Sequence, residues 1–560
     1  MTLDRPWLEQ YGPGVPADAS IPDGSLIDIL TTAAELDPGR IAIDFMGATT
    51  TYAQLQQQVL RAAEALRRHG VAAGDRVAIV LPNCPQHVVA FYAVLRLGAV
   101  VVEHNPLYTQ PELAHQFADH QPRLIIAWDV IAAAAAQVSG SATVIAVDMS
   151  RSLPPLKRLL LRLPVAKARA TRTAMTAPTP GLQRWHELVA GVPMLDAAVP
   201  APGPTDIALL QYTGGTTGVP KGAILSHRNL VANAAQSVAW VPMLKPGAET
   251  FYAVLPMFHA YGLTLCLTTA VMMRATVVQF PKFDPEAVID AMRRRPCSFL
   301  PGVPPMYPRL VEAAQRKGVD LSSIRVALAG AMALPPAVVE LWEAATGGLL
   351  VEGYGMTESS PISVGNPISP ARRPGSIGVP YPSTRVRVVD PANPYVQVAP
   401  GSAGELLVQG PQVFVGYWHR PQETAATLLP EGWLRTGDIV VQDADGFLHI
   451  VDRIKELILV GGFNVYPSEV EQALAGLPGV AEVAVAALPD GDHEIVAAAV
   501  VAEAGASLDP EALREQCRSM LAAYKVPRRI AIVDELPRSI VGKVLRAKVR
   551  EQLLAIPTGP

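Results

Sequence analysis

Apolar residues recur along the first part of the chain with two alternating periods. At 52–69 they fall at helical spacing and stop at Gly70, and at 86–97 they do so again and stop at Gly98. Short apolar runs at 76–81, 99–102 and 124–127 stand between and after these helices and read as buried strands. The alternation resumes from Leu209 to Gly353. Strands alternating with helices predict a sheet covered on both faces. From Ser376 to Val415 the pattern turns β-rich, with runs at 385–389 and 405–408 parted by Pro and Gly, as in a smaller antiparallel sheet. In the last hundred or so residues, a domain-sized block, 467–477 and 509–520 read as helices, 482–487 and 495–501 as strands. The predicted fold class is α/β: a large N-terminal domain of strand–helix layers plus a β-rich subdomain, then a smaller α+β C-terminal domain. The boundary falls at 452–455, giving an N-terminal domain 1–452, a linker 453–455 and a C-terminal domain 456–560.

Composition narrows the class. At 560 residues the chain is too long for one core. Half its residues are hydrophobic and 17% charged, which excludes general disorder. A formal charge of −4 gives no reason to expect nucleic acid. Cys84, Cys266, Cys297 and Cys517 form no CxxC pair and read as buried free thiols of a reducing compartment. The first residues lack the charged-then-apolar pattern of a signal peptide. Arg96 and Arg274 interrupt the most apolar stretches before they reach membrane-spanning length. The expectation is a cytoplasmic protein without a transmembrane helix.

One stretch stands apart. Residues 151–184 carry Arg151, Lys157, Arg158, Arg162, Lys167, Arg169, Arg172 and Arg184, with no acid between Asp148 and Glu187. Leu156, Leu159, Leu160, Leu161 and Leu163 sit among them. Composition leaves two readings open: a solvated loop with a small helix, or a peripheral contact with anionic membrane.

The candidate chemistry begins at Tyr212-Thr213-Gly214-Gly215-Thr216-Thr217-Gly218-Val219-Pro220-Lys221-Gly222. Backbone N–H groups, hydroxyls and a cation so close together suit a polyphosphate. The spacing is not that of the common P-loop, because Val-Pro parts Gly218 from Lys221. Further on come Gly353-Tyr354-Gly355-Met356-Thr357-Glu358, Thr436-Gly437-Asp438, Asp452-Arg453-Ile454-Lys455-Glu456, the run 459–469 containing Gly461, Gly462 and Phe463, and the run 537–546 containing Lys543. Each alone is an ordinary turn, helix start or ion pair.

Together, in this order, they closely resemble the motifs of the adenylate-forming enzymes: acyl-CoA synthetases, luciferases and peptide-synthetase adenylation domains. The resemblance covers essentially the full chain and implies ATP, Mg²⁺ and CoA as co-substrates or cofactors. It implies that Thr213, Gly214, Gly215, Thr216, Thr217, Gly218 and Lys221 hold phosphates. Gly330, Ala331, Tyr354, Gly355, Thr357, Asp438 and Arg453 would contact the rest of the nucleotide, with Asp438 on the ribose. Glu358 would hold the metal, and Lys543, with Thr357 and Glu358, would serve catalysis. Lys455 would be the hinge about which a mobile C-terminal domain turns, and Gly461, Gly462 and Phe463 would line the CoA channel. Gly214 and Gly462 stand where many relatives have serine, and neither change removes a group the chemistry requires.

An amino-acid activator places an aspartate early in its pocket to pair with the α-ammonium. The corresponding stretch here, 256–263, has no acid, and an unpaired buried ammonium would be costly. His259, Gly262, Val303, Gly330 and Met332 would form the acyl pocket. The wording of the motifs is most similar to bacterial long-chain fatty acid–CoA ligases. An aryl or medium-chain acid, or a carrier protein as acceptor instead of CoA, stays open beside that reading. So does a non-catalytic binder of acyl-adenylate or nucleotide, although degenerate copies should lose Lys543, Glu358 or Asp438, and all are present.

Overall fold

The computed structural model describes residues 5–213, 220–456, 458–460, 463–490, 493–539 and 542–556. Packing divides the chain into two units: one holds Trp7–Arg385 with Gln409–Leu434, the other Met1–Pro6, Val386–Val408 and Arg435–Pro560.

The larger unit contains two mostly parallel sheets. One has eight strands in the order Gly416–Tyr417, Lys221–Ser226, Ile207–Thr213, Val100–Glu103, Arg76–Val80, Leu124–Trp128, Thr143–Val147 and Gln183–Arg184. From Ile207–Thr213 onward every neighbouring pair is parallel. The other has nine, ordered Val379–Pro380, Ile362–Gly365, Leu349–Gly355, Val326–Ala329, Phe299–Gly302, Thr250–Ala253, Thr276–Gln279, Ile41–Phe45 and Ala48–Thr51. Strands buried on both faces explain the near-continuous apolar runs. The helices between them follow their sequence signals. Tyr52–Arg68 starts at a capping box, Thr51 with Gln54, and buries Leu55, Val59, Ala62, Ala63 and Leu66 at helical spacing. Gly70 ends it at φ +80°, a conformation that costs glycine little.

The smaller unit holds an antiparallel β region and a compact C-terminal block. In the first, Leu448–Arg453 pairs with residues 438–442. In the second, Val480–Asp490, His493–Ala502 and Arg529–Ile532 form a three-stranded sheet. Strand alternation splits its residues between two cores. Val485, Val496, Ala498 and Val500 face Val470 and Leu474 of helix Pro467–Ala475 and Leu513 of helix Pro510–Met520. Ala484, Ala486, Ala497 and Ala499 face Val549 and Leu553 of helix Arg546–Ala555.

All four cysteines are buried and free, and burial pushes the Cys84 and Cys266 thiols up to about 12. No helix among the described residues is long and apolar enough to cross a membrane.

Candidate active site

In the larger unit, Ile207–Thr213 and Lys221–Ser226 run antiparallel, and their register sets Thr213 opposite Lys221. Gly214, Gly215, Thr216, Thr217 and Gly218 lie outside the described residues. The strand leading into them is well tied. Tyr212 donates its hydroxyl to Asp119 at 2.6 Å, and Gln211 donates to the Phe258 carbonyl at 3.0 Å.

The Lys221 ammonium sits 5.3 Å from the centre of the Tyr417 ring, within cation–π range. Tyr417 lies on the strand beside Lys221–Ser226, opposite Ala223. Its hydroxyl donates to Glu358 Oε1 at 2.6 Å. Glu358 is buried in the short turn Thr357–Ser359, where its carbonyl accepts from Phe414 N–H at 2.8 Å. Burial first, and then the Glu358 charge, push the Tyr417 phenol far above its ordinary value. It therefore stays a donor at any working pH. One tyrosine bridges the cation and the carboxylate that sequence reasoning named separately. That reasoning missed Tyr417, which lies 59 residues from Glu358; the only local signal is a hydroxyl-bearing aromatic in the apolar run 413–418.

The remaining candidates of this unit gather at the carboxyl ends of four adjacent parallel strands, where open α/β sheets take their ligands. His259 and Gly262 follow Thr250–Ala253, and Val303 follows Phe299–Gly302. Gly330, Ala331 and Met332 follow Val326–Ala329, while Tyr354 and Gly355 end Leu349–Gly355. Val303 and Tyr354 are buried, Met332 is half-buried, and His259 and Ala331 are exposed. The backbone here is too crowded for side chains at two glycines. A Cβ on Gly262 would lie 2.0 Å from the Pro256 carbonyl oxygen, and one on Gly355 would lie 1.9 Å from that of Pro361. At Gly330 the Tyr261 ring comes within 3.0 Å of where a Cβ would be, and Tyr261 is fixed by donating to the Leu328 carbonyl at 2.8 Å. Ala331 adopts φ +70°, a left-handed conformation that costs a non-glycine residue about 1 kcal/mol and clusters at functional sites.

In the smaller unit, Asp438 and Arg453 face each other across adjacent strands, with Arg453 Nε 2.8 Å from Asp438 Oδ1. Asp438 is buried, and Gly437 turns the chain before it at φ +72°. Lys543 is half-buried in the same unit. Ser539 N–H donates to its carbonyl at 2.7 Å, and its own N–H donates to Ser539 Oγ at 3.2 Å. Burial, then the Arg453 charge, lower the Lys543 pKa, while Glu456 and Asp438 oppose them. Asp438, Arg453 and Lys543 are therefore one electrostatic group. Gly461 and Gly462 lie outside the described residues, as do the side chains of Lys455 and Phe463.

The family pattern of AMP-binding enzymes matches residues 30–418, and that of the AMP-binding enzyme C-terminal domain matches 469–543. This chain belongs to the AMP-binding enzyme family. It is 39% identical to a long-chain-fatty-acid–CoA ligase of Bacillus subtilis (strain 168), over 99% of each chain. It is 38% identical to the ligase of that name from Yersinia pestis, again over 99% of each. Among solved structures, ATP-bound MatB from Rhodopseudomonas palustris superposes with a TM-score of 0.80 at 30% identity, covering 94% of this chain and 98% of that one. The AMP-binding enzyme assignment fits the α/β architecture, and the two matched segments contain the runs 212–222 and 353–358 and Lys543.

Proposed function

We propose that this AMP-binding enzyme activates a medium- or long-chain fatty acid with ATP, forming acyl-AMP and pyrophosphate, and then transfers the acyl group to CoA. What carries this reading is the Lys221–Tyr417–Glu358 bridge, which stands in one unit with strand ends whose pocket segment 256–263 contains no acid. Full-length likeness to ligases named for long-chain fatty acids supports the substrate class.

A carboxylate repels nucleophiles, so its carbon must first acquire a leaving group. Attack of the carboxylate oxygen on the α-phosphate expels pyrophosphate, which leaves with its charge spread over Lys221 and the backbone and hydroxyls of 213–218. Thr357 would contact the α-phosphate and Asp438 the ribose hydroxyls. Lys543 would neutralise charge building on the oxygens as they approach. Burial and the Arg453 charge lower its pKa, and the carboxylates of Glu456 and Asp438 oppose that shift. Mg²⁺ fits the donor set, since it takes one or two carboxylates together with substrate phosphates. Glu358 would hold it, and when bound it would offset phosphate charge. In the second half-reaction a thiolate displaces AMP through a channel lined by Gly461, Gly462 and Phe463. A turn of domain 456–560 about Lys455 would exchange the groups serving the two steps. A cytoplasmic place and a peripheral contact with anionic membrane through 151–184 belong to the same reading.

Pyrophosphate release across a panel of alkyl, aryl and amino acids, with and without CoA, tests it. Release should require an alkyl acid, and CoA should yield its thioester with turnover. No release above background with any acid would leave a non-catalytic binder, and thioester formation on a carrier protein alone would change the acceptor.

A further inference from the structure

Outside the site, the stretch between Leu153 and Met175 is the most weakly packed. These two residues are buried, and no described residue between them is. Both ends are tied down. Ser150 N–H donates to Asp148 at 2.9 Å. The Trp128 indole donates to the Met175 carbonyl at 2.9 Å, and the Thr176 hydroxyl donates to Asp129 at 2.5 Å. The stretch itself is ordered: helices Pro155–Leu160 and Ala166–Thr173 are braced by Arg172, which donates to the Leu161 carbonyl at 3.2 Å.

What this arm displays is unusual for a surface. Leu156, Leu159 and Leu160 share one face of the first helix by their spacing. With Leu163 and Val165 they are between 46% and 68% exposed. Lone exposed leucines need no explanation, but a cluster of them marks an interaction site. Lys157, Arg158, Arg162, Arg169 and Arg172 are interspersed with or follow the cluster along the chain. Lys157 donates to the Met46 carbonyl at 2.8 Å. No ion pair among the described residues reaches Arg158, Arg162 or Arg169. Apart from Lys157, Lys167 and the arginines, the only polar side chains at 154–174 are threonines. A protein partner would be read by aromatic anchors and by varied hydrogen-bonding groups. Leucines fringed by long cationic stems instead suit a surface with an apolar interior and anionic headgroups.

We infer that residues 154–174 are a docking arm for an anionic lipid bilayer. The leucines and Val165 enter the boundary of the acyl chains, and Arg158, Arg162 and Arg169 pair with headgroup phosphates. The inference narrows the membrane contact to this arm and draws on the fatty-acid reading only for its benefit: a long-chain acid is concentrated where the arm binds.

The test is sedimentation of the full chain with phosphatidylcholine vesicles, with or without phosphatidylglycerol, in the absence of acid, ATP and CoA. Wild type should bind the anionic vesicles, less so as salt rises. Each neutralised cation should weaken partitioning about five-fold, so Arg158→Gln, Arg162→Gln and Arg169→Gln together should weaken it roughly 100-fold. Leu156→Gln with Leu160→Gln should also reduce binding to anionic vesicles. Both variants should keep the wild-type melting temperature, since all five side chains are exposed. Wild type that fails to sediment, equal binding to neutral vesicles, or variants that bind like wild type would each overturn the inference. None of these outcomes bears on acid activation, which pyrophosphate release measures separately.

Discussion

Tyr417→Phe isolates one hydroxyl at the centre of the candidate site. The ring that faces Lys221 remains, and only the bond to Glu358 Oε1 at 2.6 Å is lost. Glu358 is 6% exposed, so water replaces the lost donor poorly. A hydrogen bond to a charged group contributes roughly 1.5–3 kcal/mol, which corresponds to about a 10- to 100-fold change in a rate or binding constant. If Tyr417 acts by aiming the carboxylate, the loss should fall mainly on kcat for pyrophosphate release, and the Mg²⁺ concentration needed for half-maximal rate should rise. Tyr417→Ala removes the ring as well, and with it a cation–π contact of about 0.5–1 kcal/mol at Lys221. Its KM for ATP should therefore rise beyond that of Tyr417→Phe. Initial rates over a grid of ATP and Mg²⁺, with melting temperatures alongside, separate these effects. Wild-type rates and Mg²⁺ dependence in Tyr417→Phe would refute the positioning role. A loss equal in kcat and KM, with a much lower melting temperature, would reduce the tyrosine to packing.

Lys543→Ala should cut adenylation by ~10²–10³ and leave thioester formation from supplied acyl-adenylate nearly intact; equal losses in both assays would remove its catalytic role. Gly355→Ala should cost more than about 2 kcal/mol in urea unfolding, because its Cβ would lie 1.9 Å from the Pro361 carbonyl oxygen. Stability should fall as the medium is acidified below pH ~6.5, by up to about 1.4 kcal/mol per pH unit for each of His104 and His227. Burial lowers both to about 4, so above 6.5 both states hold them neutral, while between 6.5 and 4 the unfolded chain takes up the protons and gains. His227→Asn should flatten its share of that slope in unfolding measured at pH 7 and pH 5.

Much of this was legible because the deciding forces are local. Thr51 and Gln54 announce the helix that follows them, and the even spacing of Val496, Ala498 and Val500 announces one face of a strand. The motif residues could be named, since each carries its own chemistry. Tyr417 could not, because its meaning depends on a strand register that sets it against Lys221 and on a turn that brings in Glu358. Ala331 gave no sign of its left-handed backbone, as alanine carries none of the bias toward φ > 0 that marks glycine. The leucines of the arm could be counted but not sided. Whether they pack inward or face out is decided by the rest of the fold.

The strand Gly416–Tyr417 has a consequence for how this protein is made. It reaches the edge of Lys221–Ser226 only after residues 386–408, which belong to the other unit, have been synthesised. Until the ribosome has passed that point, the phosphate strand has an open edge, and an open edge invites pairing with another chain. A fragment ending at Arg385 would hold nearly all of the larger unit and still carry that exposed edge. Such a fragment should aggregate, while one extended through Leu434 should not. The same interleaving makes the N-terminal half a poor candidate for separate expression, however complete its sequence motifs look.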